Sequence, residues 1–454
     1  MDAIELWADA DGDGHGDAAA RVLACAAEPG AVTNFDDCDD ESANVHPGAP
    51  ELCDGVDTDC DGTIQESMAP TDLRTIQDAL ETESWVCLHS GTHSGDLTIA
   101  RPNVLVQSIE GAGSTILDGS GVGSAVHIAT GSDGVVRIEG VTIQGGSAER
   151  GAGVYVEDSA VELSDVLITQ NTCAEPVCWG SGIYMKNSTG QLRDSRVFAN
   201  EATGDDYSNG VGIALLTGTY QLDHVTIDRN RSDGPADSRG TGLYVVASIA
   251  TLEHVLVADN EANRAATYGL GAGFNDSAID AENLIVAGNR QTHGDAADGA
   301  LWHSEYTEAQ YRNITVVGND FGSDDVTCHG LSVDYRSTVH LLNANISAGQ
   351  VAPGALTGGL VSTDDGSFLT AEYSNFHDED GAELWFGLEP RVGEEGNISE
   401  DPMHTNTSSA QATTWDLTLL DGSALIDAGA PDRQDTDGTR SDIGALGGPA
   451  GDDW

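Results

Sequence analysis

The sequence predicts an all-β fold: a right-handed, single-stranded parallel β-helix, preceded by a small loop-rich metal-binding module and a short capping helix. Three observations carry that expectation. From Gly151 to about Gly330 one phrase recurs, as GAGVYV, GSGIYM, GVGIAL, GTGLYV and GAGFND. Each copy leads into a segment that closes on asparagine, at Asn171, Asn200, Asn230, Asn260, Asn289 and Asn319, so successive positions differ by 29 or 30. Within each unit apolar residues alternate (Leu163, Val166, Ile168; Leu252, Val255, Val257), which is strand periodicity, and no helical pattern intervenes. A fixed period of that size means stacked units, none able to bury its apolar face alone.

Composition narrows the function classes. The 454 residues need no second core, because a solenoid grows along one axis. Against 76 Asp and Glu stand 18 Lys and Arg, with Lys186 the sole lysine, for a net charge of -58. Such self-repulsion opposes compaction unless cations screen it. Nucleic acid and anionic membrane require basic footprints and are excluded as partners; divalent cations are expected. No stretch has the length and apolarity of a membrane-spanning helix. The first residues lack a basic and apolar signal segment, so either a signal peptide has been removed or export is not encoded here.

The chain divides at composition shifts into 1–67, an Asp- and Cys-rich calcium-binding module; 68–375, coils of the β-helix; and 376–454, irregular coils and a cap. In the first part Arg21 is the sole Lys or Arg. Asp9, Asp11, Asp13, Gly14 and Asp17 stand at positions 1, 3, 5, 6 and 9 of a calcium loop of EF-hand type, where alternate carboxylates converge on one cation. His15 would add its backbone carbonyl, and His46 reads as a loop residue. Position 12 is Ala20, so a further ligand must come from the block Asp36, Asp37, Asp39 and Asp40. Asp57, Asp59, Asp61 and Gly62 repeat the spacing, flanked by Asp54 and Glu66. Hard oxygen ligands favour calcium over zinc or copper, and two or more ions are expected.

The order DADGDGHGD, DDCDD, HPGAPELCDG, VDTDCDG resembles the Asp- and Cys-rich metal-binding motif of bacterial surface proteins, over roughly residues 7 to 66. The resemblance implies an extracellular module that repeats within or caps larger surface proteins and binds metal through these aspartates. One relative binds copper, which stays open here although no Met or His cluster supports it.

Eight cysteines allow 105 connectivities. Cys173 and Cys178 can bridge locally. In the acidic module Cys25 with Cys38 and Cys53 with Cys60 is the expected pairing. Coils stack roughly 4.8 Å apart, which sets Cys87 and Cys328 too far apart to join, so both read as free core cysteines. Disulfides imply an oxidising, extracytoplasmic setting.

After the module, Leu73, Ile76, Ala79 and Leu80 recur at helical spacing, with Thr71 or Asp72 available as N-cap. A helix here would cover the open end of the first coil. Residues 84–150 then build less regular coils. TIQDAL followed by V-x-L-x-x-G-T-x-x-x-x-L-T-I resembles the start of the pectin-lyase-like β-helix superfamily, over roughly residues 70 to 450. That resemblance specifies fold but not activity, since lyases, hydrolases, epimerases and adhesins share it.

The recurring asparagines read as a buried structural ladder that satisfies corner backbone groups, and the Gly-x-Gly pairs as tight corners. Between Asn and Gly lie variable loops that must emerge on one side, carrying Asp205, Asp206, Asp233, Asp237, Asp295, Asp298, Asp324 and Asp325 with Trp179, Tyr207 and Tyr268. This face suits cations, glycans or a neighbouring copy. No basic residue recurs beside an aspartate cluster as a lyase would need; Arg229 with Asp228 is isolated, and His224 and His254 read as a stacked pair on consecutive coils.

After Gly359 the period dissolves. The ending LTLLDGSALIDAGAPDRQDTDGTRSDIGALGG resembles the terminal segment of secreted bacterial β-helix proteins, through Ser423, Ile426, Asp427, Gly429, Asp435, Asp437, Gly438, Arg440, Asp442 and Gly444. Arg440 reads as a fork on Asp427 or Asp442. The sequence supports a calcium-stabilised extracellular or cell-surface protein that presents its acidic face to matrix components, glycans or copies of itself, with filaments as an extension. A polysaccharide lyase or epimerase and a copper-binding surface protein stay as alternatives.

Overall fold

The computed structural model describes residues 4–26, 28–49, 53, 56–62, 67–69, 73–131, 134–323, 325–347, 356–364, 366–378, 385–386, 392–451 and 454. The chain is a right-handed parallel β-helix with a small disulfide-bonded module at its start. One coil shows why. Ile183–Lys186 runs along the first face, Ser188 turns the corner, and Thr189–Phe198 forms the second face. Asn200 makes the next corner, Glu201–Ala202 forms a short third face, and Gly210 returns the chain to Ile213 one level up. Each strand pairs in parallel with its counterpart about one period later, for example Thr189–Phe198 with Thr219–Asp228. Among the described residues these faces make sheets of 16, 19 and six strands. Inward residues such as Leu163, Ile168, Val197, Leu252 and Val257 are buried in one continuous core.

The corner asparagines do form a ladder. Each of Asn171, Asn200, Asn230, Asn260 and Asn289 donates through Nδ2 to Oδ1 of the asparagine one coil on, at 2.9–3.0 Å, and all are buried. The second glycine of each pair lies against it: a Cβ on Gly182 would meet Gly212 O at 2.5 Å and Asn200 Nδ2 at 2.9 Å. Pairing of Tyr244 with Gly273 sets the fifth copy of the phrase at Gly269 and Gly271, one glycine earlier than its GAGFND spelling suggests. A hydroxyl ladder occupies the opposite corner, where Ser188, Ser277, Ser337 and Ser367 accept backbone N–H groups from the coil before.

The helix Leu73–Thr82 is present, and Ile76 and Leu80 join the core. Gln77 completes the cover of the first coil. Its side-chain amide donates to Thr98 O and accepts from Thr98 N, both at 2.9 Å, so it pairs with the strand edge as a neighbouring strand would. The proposed N-cap residues Thr71 and Asp72 lie outside the described residues.

Three expectations need correction. The variable loops are partly strands: Thr172–Cys173, Glu201–Ala202, Arg231–Asp233, Glu261–Asn263, Arg290–Gly294 and Asp320–Ser323 form the third face, because backbone groups on consecutive coils lie close enough to pair. The period continues past Gly359, with Leu356–Thr363 on Asp325–Val333 and Phe368–Glu372 on Thr338–Leu342. The closing segment then does more than cap an end. Ile398 pairs with Asn375, after which the chain returns along the flank of the second face. Ala412, Trp415, Leu417 and Ala445 cover Leu256, Ala258, Ile285, Ala287 and Val317, making a second apolar cluster outside the barrel.

Candidate metal centre

The acidic module is built on a three-stranded antiparallel sheet, Arg21–Ala24, Ile4–Ala8 and Ala31–Val32, with Leu6 buried and Trp7 against Phe35 at 4.7 Å. Composition alone did not suggest a sheet. It anchors the loop between its first two strands, in which aspartates hold successive backbone N–H groups: Asp9 accepts from Gly12 at 2.8 Å, Asp11 from Asp13 at 3.2 Å, and Asp13 from His15 at 2.7 Å. These turns fold the loop back on itself and gather the carboxylates of Asp9, Asp11 and Asp13.

Ligand atoms of Asp9, Asp11 and Asp13 lie within 4.8 Å of one another, as do those of Asp11, Asp37 and Asp40. Asp37 is only 7% exposed. Burial raises its carboxyl above the usual carboxylate range, and the neighbouring charges of Asp13, Asp11 and Asp40 raise it further. Asp11 Oδ2, Asp13 Oδ2, Asp37 Oδ2 and Asn34 Oδ1 are shut away from solvent with no hydrogen-bond donor. Four oxygens in that condition fit a cation, whose charge would repay their desolvation. Asn34 was not singled out by spacing; its Nδ2 donates to Gly14 O at 3.1 Å, which ties it to the loop that carries Asp11 and Asp13.

Of the other expected ligands, Asp17 accepts from Ala19 N and pairs by backbone with Asp37, while Asp39 accepts from Glu41 N. The His15 ring faces Asp36 at 3.0 Å, which raises the His15 pKa, and stacks on His46. Asp57, Asp59 and Asp61 form a second cluster within 4.8 Å, with Asp57 accepting from Asp61 N and Gly62 N. Asp54 and Glu66 lie outside the described residues.

The disulfides differ from the expected set in the module. Cys38 joins Cys60, which brings the Asp36–Asp40 block beside the Asp57–Asp61 loop. Cys53 joins Cys87 of the first coil and so fixes the module to the rod. Cys25 is free and exposed. Local pairing failed because Cys38 lies against the Asp57–Asp61 loop and Cys53 against the first coils, at Cys87 and the Gln107 carbonyl. Cys173 and Cys178 are bonded, and Cys328 is free and buried.

Two family models match the chain. One, described as "Putative metal-binding motif" (Cu-binding_MopE), matches residues 37–66; the other, "Right handed beta helix region", matches 124–321. A metal-binding motif is joined to a right-handed β-helix. The motif match holds Asp37, Asp39, Asp40, Asp57, Asp59 and Asp61 together with the Cys38–Cys60 bond, and the structure sets Asp11, from outside it, against Asp37 and Asp40. Among solved structures, the crystal structure of pectate lyase Pel9A is similar over 81% of this chain and 89% of its own, with 11% identity and a TM-score of 0.47. No curated protein matches the chain. Among the described residues no helix is long and apolar enough to cross a membrane.

On the rod, Asp228 is fully buried and held by both nitrogens of an Arg196 fork at 2.6 and 2.7 Å and by Arg229 at 2.7 Å, with both arginines over the Phe198 ring. Asp228 with Arg229 is therefore a structural clamp. Arg264 is likewise buried, donating to the carbonyls of Gly204 and Asp206. Asp298, expected on an exposed loop, has Oδ1 shut from solvent and lies against Asp334. Burial, then the Asp334 charge, raises its carboxyl well above the ordinary value. Asp324 lies outside the described residues. Arg440 holds the carbonyls of Gly429 and Ala428 and lies over Tyr373, instead of forking onto Asp427 or Asp442.

Proposed function

We propose that this is an extracellular or cell-surface protein whose acidic head binds calcium, and whose rod presents its acidic loop face to surface or matrix components or to further copies of the chain. The observation that carries the reading is the set of donorless buried oxygens on Asp11, Asp13, Asp37 and Asn34, in a head bonded through Cys53–Cys87 to the first coil. An all-oxygen set suits a hard cation, and calcium tolerates the irregular geometry that four residues from two different loops would give. Three disulfides support an oxidising compartment. With a net charge of -58, cation binding also relieves the repulsion that opposes end-to-end association.

The test is thermal melting and light scattering of the full chain with calcium and with chelator. The reading expects chelation to lower the melting temperature and to change the assembly state. Unchanged melting and assembly would count against it.

A polysaccharide-active role has one observation in its favour: two neighbouring carboxyls, Asp298 and Asp334, both raised first by burial, lie beside the Trp302 indole, which donates to Asp334 at 3.0 Å. Release of unsaturated or reducing sugars from pectin and alginate, lost in Asp298→Asn, would replace the first reading with this one.

A further inference from the structure

Corner residues of the second face adopt left-handed backbone on successive coils: Asp165, Asp194, His224, His254, Asn283, Asn313 and Asn343, with φ between +48° and +56°. From Asn283 onward this column is used to hold the closing segment. Asn283 donates to Ala445 O at 2.6 Å, Asn313 to Ser441 Oγ at 3.1 Å and Asn343 to Ser441 Oγ at 3.2 Å. The two histidines differ in chemistry from the asparagines above them, and their environment differs too.

His254 is 8% exposed, with its Nε2 2.8 Å from the carbonyl of Ala450 and the Trp454 ring edge-on at 5.7 Å. A carbonyl can only accept, so Nε2 carries the proton and Nδ1 the lone pair. That Nδ1 is buried without a hydrogen-bond donor. Fixing one imidazole nitrogen on a backbone carbonyl is how a ligating histidine is oriented. The His224 ring stacks on His254, with centroids 4.5 Å apart and planes 18° from parallel, and its Nδ1 lies 2.8 Å from Asp223 Oδ1. Asp223, His224 and His254 each place a ligand atom within 4.8 Å of the others.

We propose that Asp223, His224 and His254 form a second metal site, distinct from the acidic head, for a borderline cation of the zinc class. Two imidazoles with one carboxylate select such a cation over calcium, which takes oxygen ligands. Because the Ala450 carbonyl sets the His254 tautomer, the site is complete only when the closing segment lies on the rod, so bound metal and docked segment stabilise each other.

The experiment uses the full chain with excess calcium, and Zn2+ as the probe in isothermal titration calorimetry. His224→Gln serves as the main variant, because His224 is exposed and its loss leaves the core intact; His254→Gln is the second. The expected result is one Zn2+ per chain at micromolar affinity, weakened at least tenfold in each variant. Zn2+ should also slow tryptic cleavage at Arg433 and Arg440 of the parent chain and not of His224→Gln. Absence of Zn2+ binding would overturn the proposal, as would binding that persists unchanged in both variants, which would assign the ion to other acidic groups.

Discussion

Asn260 Oδ1 accepts two hydrogen bonds from Asn230, one from the backbone N–H at 3.0 Å and one from Nδ2 at 3.0 Å. Each buried amide thus closes one coil onto the next, and Asn230 passes the interaction on to Asn200 in the same way. Asn230→Ala takes the side-chain acceptor from the Asn200 backbone N–H and the side-chain donor from the Val197 carbonyl. The expected loss is about 2 to 4 kcal/mol in denaturant unfolding, from two buried polar groups left unpaired.

Much of this architecture was legible because a solenoid repeats its physics. A position that must be Asn on one coil must be Asn on the next, so the period, the ladder and the inward apolar residues were all visible. The flank docking was encoded less openly. Outward positions of the second face read Arg196 and Phe198, then Thr226 and Asp228, then turn apolar at Leu256, Ala258, Ile285 and Ala287, where the closing segment covers them. Loss of polar alternation on those strands was the available signal. The local Cys173–Cys178 bond was legible, whereas the two disulfides of the head were not, because their connectivity depends on how irregular loops meet. Asn34 was not legible either, because its role comes from tertiary folding rather than from spacing.

Asp259 holds the closing segment at its first return. It accepts from Ala412 N at 2.7 Å and from Thr413 N at 3.1 Å. Asp259→Ala removes both, a loss of about 1.5 to 3 kcal/mol in docking. Tryptic cleavage at Arg433 and Arg440 should quicken about tenfold or more, with the circular dichroism of the rod unchanged.

Asp298 gives a pH signature. Its carboxyl pKa is raised in the folded chain by burial first and by Asp334 second. The protonated form therefore favours folding. That contribution is complete below the unfolded value of 3.8 and is lost as pH rises through the raised folded value. Asp298→Asn, neutral at every pH, should melt at a higher temperature than the parent at pH 8, with the difference vanishing below about pH 4.

The Cys53–Cys87 bond carries the head on the rod. In the double variant Cys53→Ser, Cys87→Ser the head should lose about 2 to 4 kcal/mol of its constraint. Calorimetry should then resolve a separate low-temperature transition for the head, while the main transition of the coils stays in place.

Calcium titration of the chelator-treated full chain by isothermal calorimetry, in 0.5 M NaCl to suppress diffuse counterion effects, tests the central claim most directly. The predicted result is two or more sites per chain, with Asp11→Asn and Asp13→Asn each abolishing the site that includes Asp37. No calcium binding above the level of those variants would contradict it.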